Sequence, residues 1–465
     1  MPSTESLTVR GMPEAVQYRV YKRRFLGLFA IVLLNLATGM IWLTYSSVTD
    51  SAKGFLYCDN TIITVTSILY FVAYLFVGPV SGGMFEKYGL KRSLLFGAVI
   101  QVIGALIRFL AKFVEASEGN NSGRLAMTFV GQLIAAAAQP FFLNAPPKFA
   151  AMWFSESGRT TATMVGSVAN GLAAAIAQLV IPVITTSKDS MGDSLLVALI
   201  VAVVAAIPVF FMHERPPTPP SPSAAEALQQ TVEEPFTKSL KRVYTNKQFL
   251  LLLALFGTFV GFFNAFSSLI AQFSEPFGYS NDEAGYFGAA MVVAGLIGAG
   301  IAGPIVDKYK NYKTLLKAGV PVVAALYVVF YFVMRKDFFI PIIIVSALLG
   351  MVSFSLLPTI LELGVECTYP VTPSSSTSLL WCSGQLFAVV FLLALDALRD
   401  NERAANGGVN PPLVFIAVWS VVAAGFCFFF KSPYYRLEAE ARIRSTGRPS
   451  EMHVESKRSF EDIKV

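Results

Sequence analysis

Residues 82–92 read GGMFEKYGLKR, and residues 303–313 read GPIVDKYKNYK. In both stretches an acid lies four residues after a glycine and is followed by Lys-Tyr and further cations. Each stretch joins the second and third apolar segments of its own half of the chain. Two matched loops about 220 residues apart indicate that the chain contains two copies of one structural unit.

The chemistry of the repeated loops is suited to a conformational latch. Glycine lets two helices approach closely, and the acid can pair with a cation or a helix N-terminus across the two halves. A basic loop with a helix-breaking glycine is the simpler alternative, and the matched second copy favours the latch. Lys310 stands where the first copy has Gly89, which predicts a different turn. The residues assigned to the latch are Gly82, Glu86, Lys87, Arg92, Gly303, Asp307 and Lys308.

The rest of the chain has the apolar composition of a membrane-embedded protein. Of 465 residues, 54% are hydrophobic and only 14% are charged, against about a quarter charged in soluble domains. Apolar runs of this length span a bilayer as helices, because lipid offers the backbone no hydrogen-bond partner. We predict an all-α membrane protein with twelve transmembrane helices in two pseudo-symmetric six-helix halves. The predicted spans are 25–48, 61–83, 93–115, 125–147, 160–185, 194–213, 248–272, 283–303, 315–334, 339–359, 375–396 and 412–430.

The loops predict the domain organisation and the orientation. A Pro-rich and then charged stretch divides the spans into two sets of six, and it has the composition of a flexible linker. The predicted parts are an N-terminal segment at 1–24, two halves at 25–213 and 248–430, a linker at 214–247 and a tail at 431–465. Lys and Arg concentrate on the side that carries both termini, which predicts cytoplasmic termini. Asn120, in Asn-Asn-Ser, then becomes an external glycosylation acceptor.

Several function classes receive no support from the sequence. The four cysteines form no CxxC pair and no histidine pair lies near them, so we expect no metal site and no cofactor. No nucleophile–base pair indicates an enzyme, and we predict no catalytic residue. No P-loop indicates ATP drive. The net charge of +6 fits loops that face anionic lipid better than it fits nucleic acid. We expect a monomer in a lipid bilayer.

Polar and aromatic residues inside the spans predict a substrate site. Trp42 and Tyr45 are three residues apart, and Trp381 and Gln385 are four apart, so each pair shares a helix face. Aromatic rings with a few amides suit a desolvated organic cation or a flat heteroaromatic solute. Each single Asn or Ser is an equally good candidate for linking two helices. The predicted site consists of Trp42, Tyr45, Asn170, Asn264, Ser268, Trp381 and Gln385.

Three charged residues in the spans receive other roles. Glu362 and Glu366, at the end of the tenth span, are predicted to act as a gate or to couple protons. Arg108 is predicted to pair with a carboxylate or with backbone carbonyls, and recruitment of an anionic substrate is the alternative. The scarcity of acids elsewhere in the spans favours facilitated transport.

The repeated loops resemble the signature loop of the major facilitators, which implies the major facilitator fold for the twelve helices. Other segments resemble one branch of this superfamily. This branch, the feline leukaemia virus subgroup C receptor-related transporters, includes choline/ethanolamine and haem-linked carriers and a lysosomal vitamin B6 exporter. The matching segments are residues 41–46, 145–163, 261–272 and 357–385. The resemblance implies an aromatic cage for a quaternary ammonium group, with Trp42 and Gln385 at matching positions. Asn264 replaces a tyrosine of the choline carriers, which weighs against choline itself, and Gly171 replaces a glutamine.

These observations predict a transporter of a small organic solute that works by alternating access. The expected substrate is a choline- or ethanolamine-like cation, a vitamin or a haem-related compound. A proton-coupled vacuolar or lysosomal exporter of a vitamin-like solute is an alternative, and a non-transporting membrane receptor or sensor is another. The resemblance implies the plasma membrane or a vacuolar or lysosomal membrane.

Overall fold

The computed structural model describes residues 18–155, 158–221, 224–225, 243–369, 371, 373–398 and 410–446. Within them, eleven helices are long and apolar enough to cross a membrane, and a twelfth apolar helix is 17 residues long. The twelve helices are α1 Arg24–Leu43, α2 Asn60–Lys87, α3 Leu90–Leu110, α4 Ser122–Leu143, α5 Arg159–Ile184, α6 Met191–Phe211, α7 Lys247–Ser274, α8 Asn281–Tyr309, α9 Tyr312–Val333, α10 Phe339–Thr368, α11 Pro373–Ala397 and α12 Pro411–Cys427. Short helices follow α1 (Thr49–Leu56) and α4 (Ala145–Trp153), and α13 spans Tyr435–Thr446.

The two six-helix halves meet along two helix pairs, α2 with α11 and α5 with α8. Close packing within the C-terminal half depends on Gly350 of α10, where a Cβ would collide with the carbonyl oxygen of Met291 in α8. We call the side where α1 begins and α2, α6 and α10 end the terminal face. The other side, where α1 ends and α2 begins, is the opposite face.

The structure extends several helices beyond the predicted spans. α2 continues to Lys87, α8 to Tyr309 and α10 to Thr368. The acid and lysine of each repeated motif therefore lie in the last helical turn and not in the loop. Hydropathy falls at charged residues, but the backbone remains helical there because its hydrogen bonds need no apolar side chains. Conversely, α1 ends at Leu43, five residues before the predicted end.

The two repeated loops turn differently, which confirms the prediction from Lys310. Gly89 has φ 86° and ψ 174°, a conformation essentially restricted to glycine. Lys310 has φ 53° and ψ 26°, the left-handed helical conformation that a side chain tolerates at a modest cost. The Glu214 carboxylate accepts hydrogen bonds from the backbone amides of Leu90 and Lys91 at the start of α3. A Cβ at residue 89 would collide with this carboxylate.

The first part of the predicted linker is held against the N-terminal half, contrary to a freely flexible spacer. Besides Glu214, Thr218 contacts the Tyr21 hydroxyl at 3.0 Å, and the Pro219 carbonyl accepts from the Arg19 amide at 3.2 Å. Ser221 accepts from Arg159 Nη2 at 3.2 Å. Residues 226–242 of the linker lie outside the described residues.

Candidate substrate-binding site

A pocket lies between the two halves, and side chains from both of them line it. It holds about 730 Å³ of empty space, counted with its open end. The N-terminal half contributes α1, α2, α4 and α5, and the C-terminal half contributes α7, α10 and α11. The lining residues used below are Trp42, Phe71, Gln139, Ser167, Asn170, Gly171, Phe256, Phe263, Asn264, Phe354, Trp381 and Gln385.

Aromatic rings form the walls of this pocket in edge-to-face pairs. Trp42 packs against Phe71 at 5.5 Å between ring centroids, and Phe256 packs against Trp381 at 5.2 Å. A third pair, Phe263 and Phe354, lies at 5.2 Å. Edge-to-face packing holds each ring in a fixed orientation, so the pocket offers rigid aromatic surfaces to a ligand.

Polar atoms that lack hydrogen-bond partners among the described residues also line the pocket. They are Trp42 Nε1, Trp381 Nε1, Gln139 Oε1, Ser167 Oγ and Gln385 Oε1. A buried polar atom without a partner costs free energy unless a ligand or water satisfies it. No charged side chain is among the lining residues in the described part of the chain. The pocket can therefore take a neutral polar solute or an organic cation, whereas a carboxylate or phosphate would find no counter-charge.

The structure brings together five of the seven predicted site residues. Trp42, Asn170, Asn264, Trp381 and Gln385 all line the pocket. The Asn170 side chain also donates to the Asn35 carbonyl at 3.3 Å, so it links α5 to α1 as well.

Tyr45 and Ser268 are not among the pocket-lining residues. Tyr45 lies beyond the end of α1, and its ring packs under Arg108 inside the N-terminal half. The backbone stays in the helical conformation through Thr44 and Tyr45, so Tyr45 lies about one turn nearer the opposite face than Trp42 and contacts Arg108 in place of the pocket. Ser268 lies one turn from Asn264 on α7, and it lines a separate cleft at the opposite face.

Phe354 explains the glycine at position 171. A Cβ on Gly171 would lie 2.6 Å from Phe354 Cε1, and one on Gly295 would lie 2.2 Å from Phe354 Cδ2. The ring thus fills the space beside two glycines on α5 and α8. Sequence reasoning missed Phe263, Phe354 and Gln139. Gln139 was detectable as an amide inside an apolar span, but nothing distinguished these two phenylalanines among 39.

Polar contacts between the halves close the terminal face below the pocket. Ser375 in the first turn of α11 donates to Glu86 Oε1 of α2 at 2.7 Å. Thr163 of α5 donates to Glu362 Oε1 of α10 at 3.1 Å. Arg436 of α13 lies 3.7 Å from the other oxygen of Glu362, and the Leu437 amide donates to Glu366 Oε2. Helix α13 therefore contacts the same two acids of α10 that lie at the closed terminal face.

The opposite face has a cleft between the halves. It holds about 1500 Å³ of empty space and is lined by residues that follow α1 and by the nearby ends of α5, α7 and α8. A hydrogen bond crosses it, from Gln178 Nε2 to the Ser267 carbonyl at 3.3 Å.

The remaining predicted residues lie at the two faces. Lys87, Arg92 and Lys308 are exposed at the terminal face, and each lysine lies over the tyrosine that follows it. Gly82 and Gly303 are buried; a Cβ on Gly303 would lie 3.2 Å from Met164 Cε in the other half. The Asp307 side chain lies outside the described residues.

Asn120 is exposed at the opposite face. Arg108 donates to the Ile41 carbonyl.

Comparison with known proteins identifies the family. The Major Facilitator Superfamily model matches residues 25–392. Solute carrier family 49 member A3 of Xenopus tropicalis is 31% identical over 444 residues, which cover 92% of this chain and 91% of that protein. The choline/ethanolamine transporter FLVCR2 of Homo sapiens is 28% identical over 436 residues, covering 90% of this chain and 80% of that protein.

Solved structures share the fold. FucP in the outward conformation matches with a TM-score of 0.66 at 15% identity, covering 89% of this chain and all of that chain. The proton:xylose symporter XylE matches with a TM-score of 0.68 at 14% identity, covering 90% of this chain and 98% of that chain.

The fold and the central pocket are those of a multi-pass membrane transporter. The chain belongs to the Major Facilitator Superfamily and, within it, to the FLVCR-related family, which confirms the predicted fold class and the predicted branch.

Proposed function

We propose that this protein carries a small organic cation or a flat heteroaromatic solute through the membrane by alternating access. The observation that supports this substrate class is the uncharged aromatic pocket with unpartnered polar atoms. Aromatic faces stabilise a desolvated cation by about 0.5–2 kcal/mol each. The same faces stack on a flat ring, and Gln139 and Gln385 offer carbonyl oxygens that accept hydrogen bonds from it.

The departures from the choline carriers favour the flat solute over choline itself. Asn264 provides an amide where a choline carrier provides an aromatic ring, and Phe354 occupies the space beside Gly171. A vitamin-like heteroaromatic ring can stack on the Phe354 ring and can form hydrogen bonds with the Asn264 amide. Haem fits less well, because its two carboxylates would enter a pocket that lacks a cationic lining residue.

The two faces support a transport cycle in which the halves rock about the pocket. Glu86, Glu362 and their partners hold the terminal face shut, while the opposite face has a cleft. With both termini in the cytoplasm, as the cation distribution predicts, this conformation faces outward. Asn120 is then glycosylated on the outside. The scarcity of acids near the pocket supports transport down the solute gradient, and proton coupling through Glu362 or Glu366 is the second candidate.

The test is uptake into proteoliposomes that contain the purified protein. Choline, ethanolamine, vitamin B6 forms and haem are supplied with and without a pH gradient. We expect uptake of an amine or a vitamin form that does not depend on the gradient. A rate that rises with an imposed pH gradient would support the proton-coupled alternative. Binding without uptake of any compound would support a receptor.

Two substitutions test the site. We expect Trp42→Ala and Gln385→Ala to abolish uptake at unchanged protein abundance, because each removes a wall or a hydrogen-bonding group of the pocket. Trp419→Ala is the matched control, since Trp419 packs outside the pocket against Phe391 and Phe415. Full uptake by both pocket variants would refute the proposed site.

A further inference from the structure

A second polar site lies inside the N-terminal half, centred on Arg108. This residue lies two positions before the end of α3 at the opposite face and is 1% exposed. Its Nη1 donates to the Ile41 carbonyl at 3.0 Å, and its guanidinium lies 4.7 Å from the centroid of the Tyr45 ring. An arginine keeps its charge at any physiological pH, so the charge must be balanced where it lies.

The surrounding helices offer no carboxylate for this balance. α1, α3, α4 and α5 contain no Asp or Glu, and α2 contains only Glu86 at the terminal face. The acid of α6, Asp193, lies 3.7 Å from Lys112 and is largely exposed. The Ile41 carbonyl, one of the last four of α1, supplies only part of a negative charge. Among the described residues, Arg108 is therefore a buried cation without a counter-charge.

Hydrogen-bond donors beside Arg108 also lack partners in the described part of the chain. They are Arg108 Nε and Nη2 and the Tyr45 hydroxyl. The Thr38 hydroxyl can donate to the Tyr70 oxygen, which leaves the Tyr70 O–H available to donate in turn. Both tyrosines are fully buried, and the Tyr70 hydroxyl lies within electrostatic range of Arg108 and Tyr45. Guanidinium N–H groups can only donate, and the neighbouring tyrosine hydroxyls accept hydrogen bonds without carrying a negative charge, so the site lacks an anionic acceptor.

We propose that Arg108, Tyr45 and Tyr70 bind a small monovalent anion such as chloride, enclosed between α1, α2 and α3. The anion neutralises the guanidinium and accepts hydrogen bonds from the unpartnered donors. Gly131 of α4 closes the site from one side, since a Cβ there would lie 2.8 Å from Arg108 Cγ. The anion also stabilises the end of α1, where Trp42 follows Ile41 and lines the substrate pocket.

The test is the thermal unfolding of the purified full-length protein in chloride, bromide or gluconate at constant ionic strength. We expect the unfolding temperature to rise with chloride and bromide concentration and to stay constant in gluconate, because a ligand bound only by the folded state stabilises it. Tyr45→Phe and Tyr70→Phe should each weaken halide binding about tenfold, since each removes one donor to a charged acceptor. Each deletes a single oxygen atom, so folding is preserved where Arg108→Met would endanger it.

Tyr327→Phe is the matched control, because Tyr327 is an equally buried tyrosine in α9 of the other half. Its halide response should equal that of the unmodified protein. Density for bromide against Arg108 in a structure would support the site. An unfolding temperature indifferent to halide would show that only water fills the space and would overturn the proposal. A halide affinity in both tyrosine variants equal to that of the unmodified protein would overturn it too.

Discussion

The terminal face and the opposite face are closed to different degrees. At the terminal face, side-chain hydrogen bonds join α2 to α11 and α5 to α10, and α13 adds Arg436 to the second contact. At the opposite face, a cleft of about 1500 Å³ separates the halves, crossed by the bond from Gln178. We therefore expect the acids of the terminal face to stabilise one conformation, so that their loss favours the other conformation.

Locking the terminal face should have the largest effect. A Cβ on Gly78 of α2 would lie 2.8 Å from the Cys382 sulfur of α11. This is close to the separation between the Cβ of one cysteine and the sulfur of the other in a disulfide. We expect Gly78→Cys to form a disulfide with Cys382 under oxidising conditions and to lose nearly all uptake. A reductant should restore the uptake. Gly78→Ser has the same size and no thiol, so it should be insensitive to oxidation. Full uptake by the oxidised variant would show that α2 and α11 need not separate.

Removing the buried carboxylate at position 362 should have the next largest effect. Breaking one partner of a buried ion pair costs about 3–5 kcal/mol, so Glu362→Gln should shift the population away from the closed terminal face. The measurement is maleimide labelling of a cysteine introduced at Tyr286, which lines the cleft, in a Cys58→Ser background. We expect labelling to fall by about a hundredfold or more, because each step of about 1.4 kcal/mol changes an equilibrium tenfold. Glu438→Gln, on the exposed side of α13, should leave labelling unchanged.

Loss of a single hydrogen bond should give a smaller shift. Ser375→Ala removes the donor to the Glu86 carboxylate, a hydrogen bond to a charged group worth about 1.5 kcal/mol, so the same labelling should fall about tenfold. Ser378→Ala is the control, because its hydroxyl donates to the Ser375 carbonyl within α11 and does not cross the halves. If the two variants behave alike, the contact between Glu86 and Ser375 does not fasten the face.

The smallest effect concerns Cys58, whose labelling tests which face of the protein lies outside the cell. Burial raises the pKa of the Cys58 thiol above its ordinary value, and Asp59 raises it further. Less thiolate is therefore present at neutral pH than for an ordinary cysteine, and labelling should accelerate as the pH rises. We expect a membrane-impermeant maleimide to label Cys58 on intact cells. Labelling only after permeabilisation would reverse the proposed orientation.

The sequence predicted the number and order of the helices, but it placed several ends wrongly. The predicted tenth span ends at 359, next to Pro358, whereas α10 passes through this proline and continues to Thr368. Neighbouring helices and local adjustments satisfy the backbone group that a proline frees inside a membrane. Hydropathy alone therefore marks where a helix leaves the lipid, and not where it stops.

The site was only partly predictable, for a different reason. Trp42, Trp381 and Gln385 stood out because such residues are rare in apolar helices. Phe263 and Phe354 did not, because α7 and α10 carry apolar residues on all faces and only tertiary packing selects the rings that face the pocket. The anion site at Arg108 depends on three helices meeting, which a single sequence does not show.

The contacts of residues 214–221 determine where this chain can be divided. Glu214 caps α3, and Thr218, Pro219 and Ser221 bind other parts of the N-terminal half. A split transporter, expressed as two polypeptides that reassemble, should therefore be cut after Ser221. A cut before Glu214 would leave the first turn of α3 without its carboxylate and would place the cap on the wrong fragment.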